Sequence, residues 1–205
     1  IHSGMFSESL MELIRCGAVD NSRKGFHPGE TVTAFAAGSQ ELYRFLHENR
    51  DILIKGGYYT NAPAVIAQNR NMVSLNTALE IDLTGQCAAE SMGFTQWSAT
   101  GAQTETVEGA QLSPGGKSIL ALPSCYTARS RTGEKVLRSK IVLSFRPGTI
   151  VSTSRNDVDY VVTEYGTAWL RGLSVDKRAK ALIAIAHPSF RDQLTADAKK
   201  YGLIF

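Results

Sequence analysis

Between Ser7 and Cys16 the apolar residues Leu10, Met11, Leu13 and Ile14 return at helical spacing, with Gly17 where a left-handed cap belongs, so a short helix is predicted there. The β-rich run Thr31 to Ala36 predicts a strand that stops before Gly38 and Ser39. Ser39 then caps a helix with Leu42, Tyr43, Phe45 and Leu46 on one face, ending near Asn49. A short apolar segment at 51–55 is broken by Gly56 and Gly57, and Pro63 introduces a short helix over 64–69. From Met72 to Leu83 every second residue is apolar or Thr, the alternation of a half-buried strand, and Gly85 ends it.

The stretch 87–116 is rich in small residues and predicts turns and short elements. Further strands are expected at 118–122, 140–145, 149–154 and 160–163, with a polar, basic loop over 127–138. Ser174 caps an amphipathic helix carrying Ala179, Leu182, Ile183 and Ala186, and a last helix runs over 191–200. Strands alternating with helices predict an α/β fold in which helices are layered on a mixed sheet.

Composition narrows the partners. With 43% hydrophobic and 20% charged residues, the 205-residue chain has the make-up of an ordinary globular protein, and one domain is the default expectation. Its 22 basic and 19 acidic residues form no basic block, which argues against nucleic acid. Cys16, Cys87 and Cys125 lack zinc spacing and are expected to be reduced, mostly buried thiols of a cytoplasmic protein. No run approaches the ~20 apolar residues of a membrane span. The chain starts at Ile1 rather than Met, so a piece of a longer protein is expected.

Several short patterns invite chemistry. Gly115, Gly116, Lys117 and Ser118 resemble the end of a phosphate loop, but Gln111 stands where its first glycine is required, and a tight turn explains the pair. His2, His27, His47 and His187 are scattered, and none adjoins a nucleophile elbow. His187 is expected to end a helix, and Asp176, Lys177, Arg178 and Lys180 to form a solvated helix face. Glu90 stands alone among small residues just after the alternating strand, where ligand sites of α/β sheets collect. Two readings remain open for it, a reactive carboxylate or one that bonds turn amides. The small-residue loop 98–103 either admits a ligand to the backbone or packs chain on chain.

The run Ser-Arg-Asn-Asp-Val-Asp-Tyr-Val-Val-Thr-Glu-Tyr-Gly at 154–166, with Leu-Arg-Gly at 170–172 and Ala-His-Pro-Ser-Phe-Arg at 186–191, resembles the C-terminal signature of class I coenzyme A transferases. The 4-hydroxybutyrate CoA-transferase and acetyl-CoA hydrolase type is the nearest in pattern. Thr-Asn at 60–61, Ala-Gln-Asn at 67–69, Asp-Leu-Thr-Gly-Gln at 82–86, Ala-Glu-Ser at 89–91 and Pro-Gly-Gly-Lys-Ser at 114–118 follow the same family's order.

That resemblance implies a CoA-transferase domain of the NagB/RpiA-like fold over residues 1–205, the C-terminal catalytic half of an enzyme whose N-terminal domain is not in this chain. It implies Glu90 as the nucleophile, Gly166 and Val162 at the thioester oxygen and CoA, and Gly101 and Gln103 facing the acyl or carboxylate group. Ala99 and Ala102 stand where the family has glycines, and the basic loop 129–138 is longer than usual for it. The implied substrates are CoA, as acyl-CoA, and a short-chain acid such as acetate, butyrate, 4-hydroxybutyrate or itaconate, with no metal and a homo-oligomeric form. Acyl-CoA hydrolysis and a non-catalytic CoA-binding module are the alternatives.

Overall fold

The computed structural model describes residues 1–130 and 132–205 of the chain. It is a mixed α/β protein whose contacts divide it into two compact units, residues 1–73 with 108–116 and residues 74–107 with 117–205.

The first unit opens with a strand the sequence did not announce, β1 (His2–Phe6), followed by α1 (Glu8–Arg15), β2 (Thr31–Ala36), α2 (Gln40–Leu46), β3 (Ile52–Ile54) and the single turns α3 (Gly57–Thr60) and α4 (Pro63–Ile66). Its sheet has the order β1-β2-β3, all parallel. Phe6, Met11, Leu42 and Ile52 form its core. Ser39 caps α2 as expected, its hydroxyl accepting from the Leu42 amide. His27 bridges Glu30, at 2.9 Å, and the Tyr59 hydroxyl, at 2.7 Å.

In the second unit the alternating run 72–83 is two strands, β4 (Val73–Thr77) and β5 (Glu80–Asp82). The apolar face of β4 is the outer one: Leu75 is 69% exposed while Ser74 is buried. The inner face is satisfied by hydrogen bonds, Asn76 donating to the hydroxyls of Ser74 and Thr106. There follow β6 (Cys87–Ala88), β7 (Ser91–Met92), β8 (Thr95–Gln96) and a ten-residue helix, α5 (Gln103–Leu112), whose residues from Glu108 on count with the first unit, in the stretch expected to hold turns and short elements. Its buried face is built from Val107 and Ala110, too small to announce a helical stripe.

The remaining elements are β9 (Lys117–Ala121), β10 (Cys125–Arg129), β11 (Lys135–Ser139), β12 (Ile141–Val142), β13 (Tyr160–Thr163), β14 (Gly166–Trp169), α6 (Val175–Ala184) and α7 (Pro188–Lys200). The expected basic loop is the antiparallel hairpin β10–β11, with Arg131 outside the described residues. A four-stranded mixed sheet has the order β14-β13-β9-β4, and a three-stranded one the order β12-β5-β6. Ile81, Leu83, Leu120, Ile141, Val161, Leu170 and Leu182 fill the core between these sheets and the C-terminal helices.

Three sequence expectations need correction. Segment 149–154 is not a strand: it makes one bridge, Thr153 with Cys87, and otherwise docks through side chains, Thr149 accepting from Gly93 N and Ser152 from Ala89 N. His187 begins a helix rather than ending one, its ring accepting from the Ser189 amide ahead of Pro188. Arg178 is not solvated with its neighbours but donates to the carbonyls of Leu173, Thr84 and Arg155. Cys87 is buried, whereas Cys16 is exposed. Among the described residues no helix is long and apolar enough to cross a membrane.

Candidate active site

Glu90 lies at the bend between β6 and β7, and three sets of contacts fix that bend. Its own carbonyl accepts two successive amides, Trp97 at 2.7 Å and Ser98 at 3.1 Å, so two residues oppose one and the hairpin β7–β8 starts on a bulge. From the other side, Ser152 Oγ takes the Ala89 amide, Ser91 Oγ takes Ile150 N and Thr149 Oγ1 takes Gly93 N. Phe94 at the hairpin tip lies over Gly148, where a Cβ would come within 2.6 Å of its ring. The alternative that Glu90 bonds turn amides through its side chain is not met: the backbone carbonyl takes them, and the half-buried carboxylate has no hydrogen-bond or ion-pair partner among the described residues.

Glu90 lines a cleft of about 240 Å³ whose walls come from the end of β4, the Glu90 bend, the small-residue loop and the start of α5. Gly101 and Gln103 line it too, with Asn76, Thr77, Ala99 and Ser152. The loop 98–103 is thus a wall open to a ligand. Gln103 is held rigidly: Nε2 donates to Thr77 O at 3.0 Å, and Oε1 accepts from Thr153 Oγ1 at 3.3 Å and from Cys87 Sγ at 3.8 Å. Its amide is therefore a strut across the cleft floor. The helix begins at this wall, so its first-turn amides, which have no intrahelical acceptors, border the cleft. That helix start and the wall residues Asn76, Thr77 and Ser152 escaped the sequence reading, because nothing in their composition marks them.

Val162 and Gly166 do not line this cleft. Ala78 N donates to Ala121 O, Ala121 pairs with Val162, and Val162 with Thr167, so these residues form one row across the sheet. Gly166 has φ +141, a conformation that L side chains rarely adopt, so a substitution there is strained whatever the space. Just before it, Glu164 accepts from both the amide and hydroxyl of Ser124, which hold its carboxyl below the ordinary value.

Two other titratable groups adjoin the Glu90 bend. Burial pushes the Cys87 thiol up to about 12. Burial likewise raises Glu80, one of whose oxygens has no partner, against the opposing pull of Arg146 at 3.4 Å. Among the described residues no group of three or more His, Cys, Asp or Glu side chains is arranged to hold a metal ion.

The mixed α/β fold is the one that the comparisons with known proteins recover. The chain belongs to the acetyl-CoA hydrolase/transferase C-terminal domain family, whose model matches residues 38–198. It is 45% identical over 200 residues to the 4-hydroxybutyrate coenzyme A transferase of Clostridium kluyveri, covering 98% of this chain and 45% of that protein. It is 46% identical over 204 residues to the succinyl-CoA:cyclohexane-1-carboxylate CoA transferase of Geobacter metallireducens, covering 100% and 45%. The crystal structure of RipA from Yersinia pestis superposes with a TM-score of 0.87 at 44% identity, covering 100% of this chain and 44% of that one. The chain thus spans a little under half the length of these relatives.

Proposed function

We propose that this chain is the catalytic C-terminal portion of a two-domain enzyme that moves CoA from an acyl-CoA to a short-chain carboxylic acid through a covalent thioester on Glu90. The observation that carries the reading is Glu90, with its carboxylate unpaired, in the lining of a small-residue cleft. The 40–46% identical relatives named as CoA transferases support the reaction class.

A carboxylate oxygen of Glu90 attacks the thioester carbonyl, the C–S bond breaks and CoA leaves as thiolate, giving a mixed anhydride. The thiolate then attacks the glutamyl carbonyl and releases the donor acid, leaving Glu90 bound to CoA as a thioester. An incoming carboxylate runs both steps in reverse, so the energy of the thioester is conserved and no separate general base is needed.

Gly166 and Val162 are assigned to CoA and the thioester oxygen, where one lost backbone donor costs about 2.7–4 kcal/mol of barrier lowering. Gly101 and Gln103 are assigned to the acyl or carboxylate side of the cleft, Gln103 through its position in the wall, since its side-chain amide is engaged with Thr77 and Thr153.

Trapping tests the proposal. The complete enzyme is incubated with acetyl-CoA, reduced with borohydride, and the peptide containing Glu90 is weighed. A reduced adduct at Glu90, absent from Glu90→Gln, is expected; an unmodified peptide from an enzyme that still transfers CoA overturns the assignment. Free thiol that accumulates over many turnovers from acetyl-CoA without any acceptor acid points instead to hydrolysis, the activity named for a 29% identical relative from Yarrowia lipolytica.

A further inference from the structure

Among the described residues the hairpin β10–β11 joins no larger sheet. Its base is tied to the turn that carries Gly166: Lys140 N donates to Ser124 O, and Ser124 bonds both oxygens of Glu164. From that base the five-residue strands reach out by about 17 Å.

The register sorts the hairpin into two faces. Cys125 pairs with Ser139, Thr127 with Leu137 and Arg129 with Lys135 on one face, and Tyr126 pairs with Arg138 and Ala128 with Val136 on the other. Thr127, Arg129, Lys135 and Leu137 are all exposed, whereas Tyr126, Ala128 and Val136 are half-buried. The outer face therefore ends in two cations directly opposite each other, beside a hydroxyl and an apolar side chain.

Like charges in directly opposed positions destabilise a strand pair unless something neutralises them. Among the described residues no carboxylate pairs with Arg129 or Lys135, and the hairpin's one acid, Glu134, lies in the connecting turn. An anion with several phosphate oxygens would sit between the two cations, the guanidinium offering its fork and the ammonium a point charge. Leu137 would give the attached base or sugar an apolar surface.

We propose that the outer face of this hairpin, through Arg129 and Lys135, binds the phosphate-bearing nucleotide end of CoA while the thioester end lies at the Gly166 turn. The inference rests on the transferase reading for its ligand, and an acidic protein surface is the competing occupant. A nucleotide is favoured because the cation pair stands one strand length from that turn.

The test uses the complete enzyme and the Arg129→Ala, Lys135→Ala double variant, with unchanged melting temperature as the folding control. Adenosine 3′,5′-bisphosphate, titrated calorimetrically, is expected to bind the wild type and to lose about tenfold in affinity in the variant. KM for acetyl-CoA should rise by a similar factor, while KM for acetyl-pantetheine, which lacks the nucleotide, should stay the same. Equal effects on both thioesters, unchanged constants for both, or no bisphosphate binding by the wild type would overturn the hairpin assignment. Bisphosphate binding that depends on the two cations in an enzyme that transfers no CoA would overturn the transferase reading and leave the hairpin site standing.

Discussion

The two units of the chain use the same chemistry of folding to different ends. Residues 1–73 with 108–116 build a regular parallel sheet over a four-residue core, and their polar groups close on one another, as His27 does between Glu30 and Tyr59. Residues 74–107 with 117–205 carry the larger core, yet their strands β6, β7 and β8 are two residues each, and the gaps between them are bridged by serine and threonine hydroxyls. Glu90 stands among those gaps. There the turn amides are taken by the Glu90 carbonyl and by serine and threonine hydroxyls, which leaves the carboxylate unpaired.

Core truncation tests that contrast most severely. Phe6→Ala in the first unit should cost about 3–5 kcal/mol and Ile81→Ala in the second about 2–5 kcal/mol, read from chemical denaturation. Ile81 pairs with Cys87 on the strand that leads to Glu90, so its truncation should also slow adduct formation at Glu90. Phe6→Ala, whose core cluster shares no residue with the strands that lead to Glu90, should leave that rate within about twofold below its melting temperature. Equal slowing by both would break the comparison.

A middle-sized effect is expected at Glu80. Burial raises its folded pKa above the unfolded one, so between those values the folded state binds more protons, and stability falls as pH rises through the folded pKa. Glu80→Gln removes that fall and should flatten the melting temperature against pH above the ordinary carboxylate range. A curve that keeps its slope would show that Arg146 cancels the burial. The smallest effect is at the caps: Ser39→Ala and Ser174→Ala should each cost ~1 kcal/mol, the same in either unit, because each hydroxyl takes one helix amide.

What the sequence disclosed follows the same division. The helices near Ser7, Ser39 and Ser174 were legible because each has a stripe of apolar residues, and the last two also a capping hydroxyl, which Ser7 does not supply. Helix α5 was not, since Val107 and Ala110 bury too little to mark a period, and the strand pattern of β4 was right in its alternation but named the wrong face as inner. Segment 149–154 has strand-like residues but spends its hydroxyls on the Glu90 bend in place of a ladder. Glu90 itself was visible as one acid among small residues, and the family resemblance gave it a role. The walls from Asn76, Thr77 and Ser152 come from three distant stretches, and only the folded chain brings them together.

Cys87 adds one more consequence. A thiol is a natural thief of acyl groups, and this one is three residues from the carboxylate proposed to receive them. Sealed from water, it is pushed up to about 12, so at neutral pH it is almost entirely in the unreactive protonated form. Burial thereby keeps a sulfur close to the Glu90 bend silent without removing it, so that in the proposed reaction Cys87 would offer Glu90 no thiolate rival.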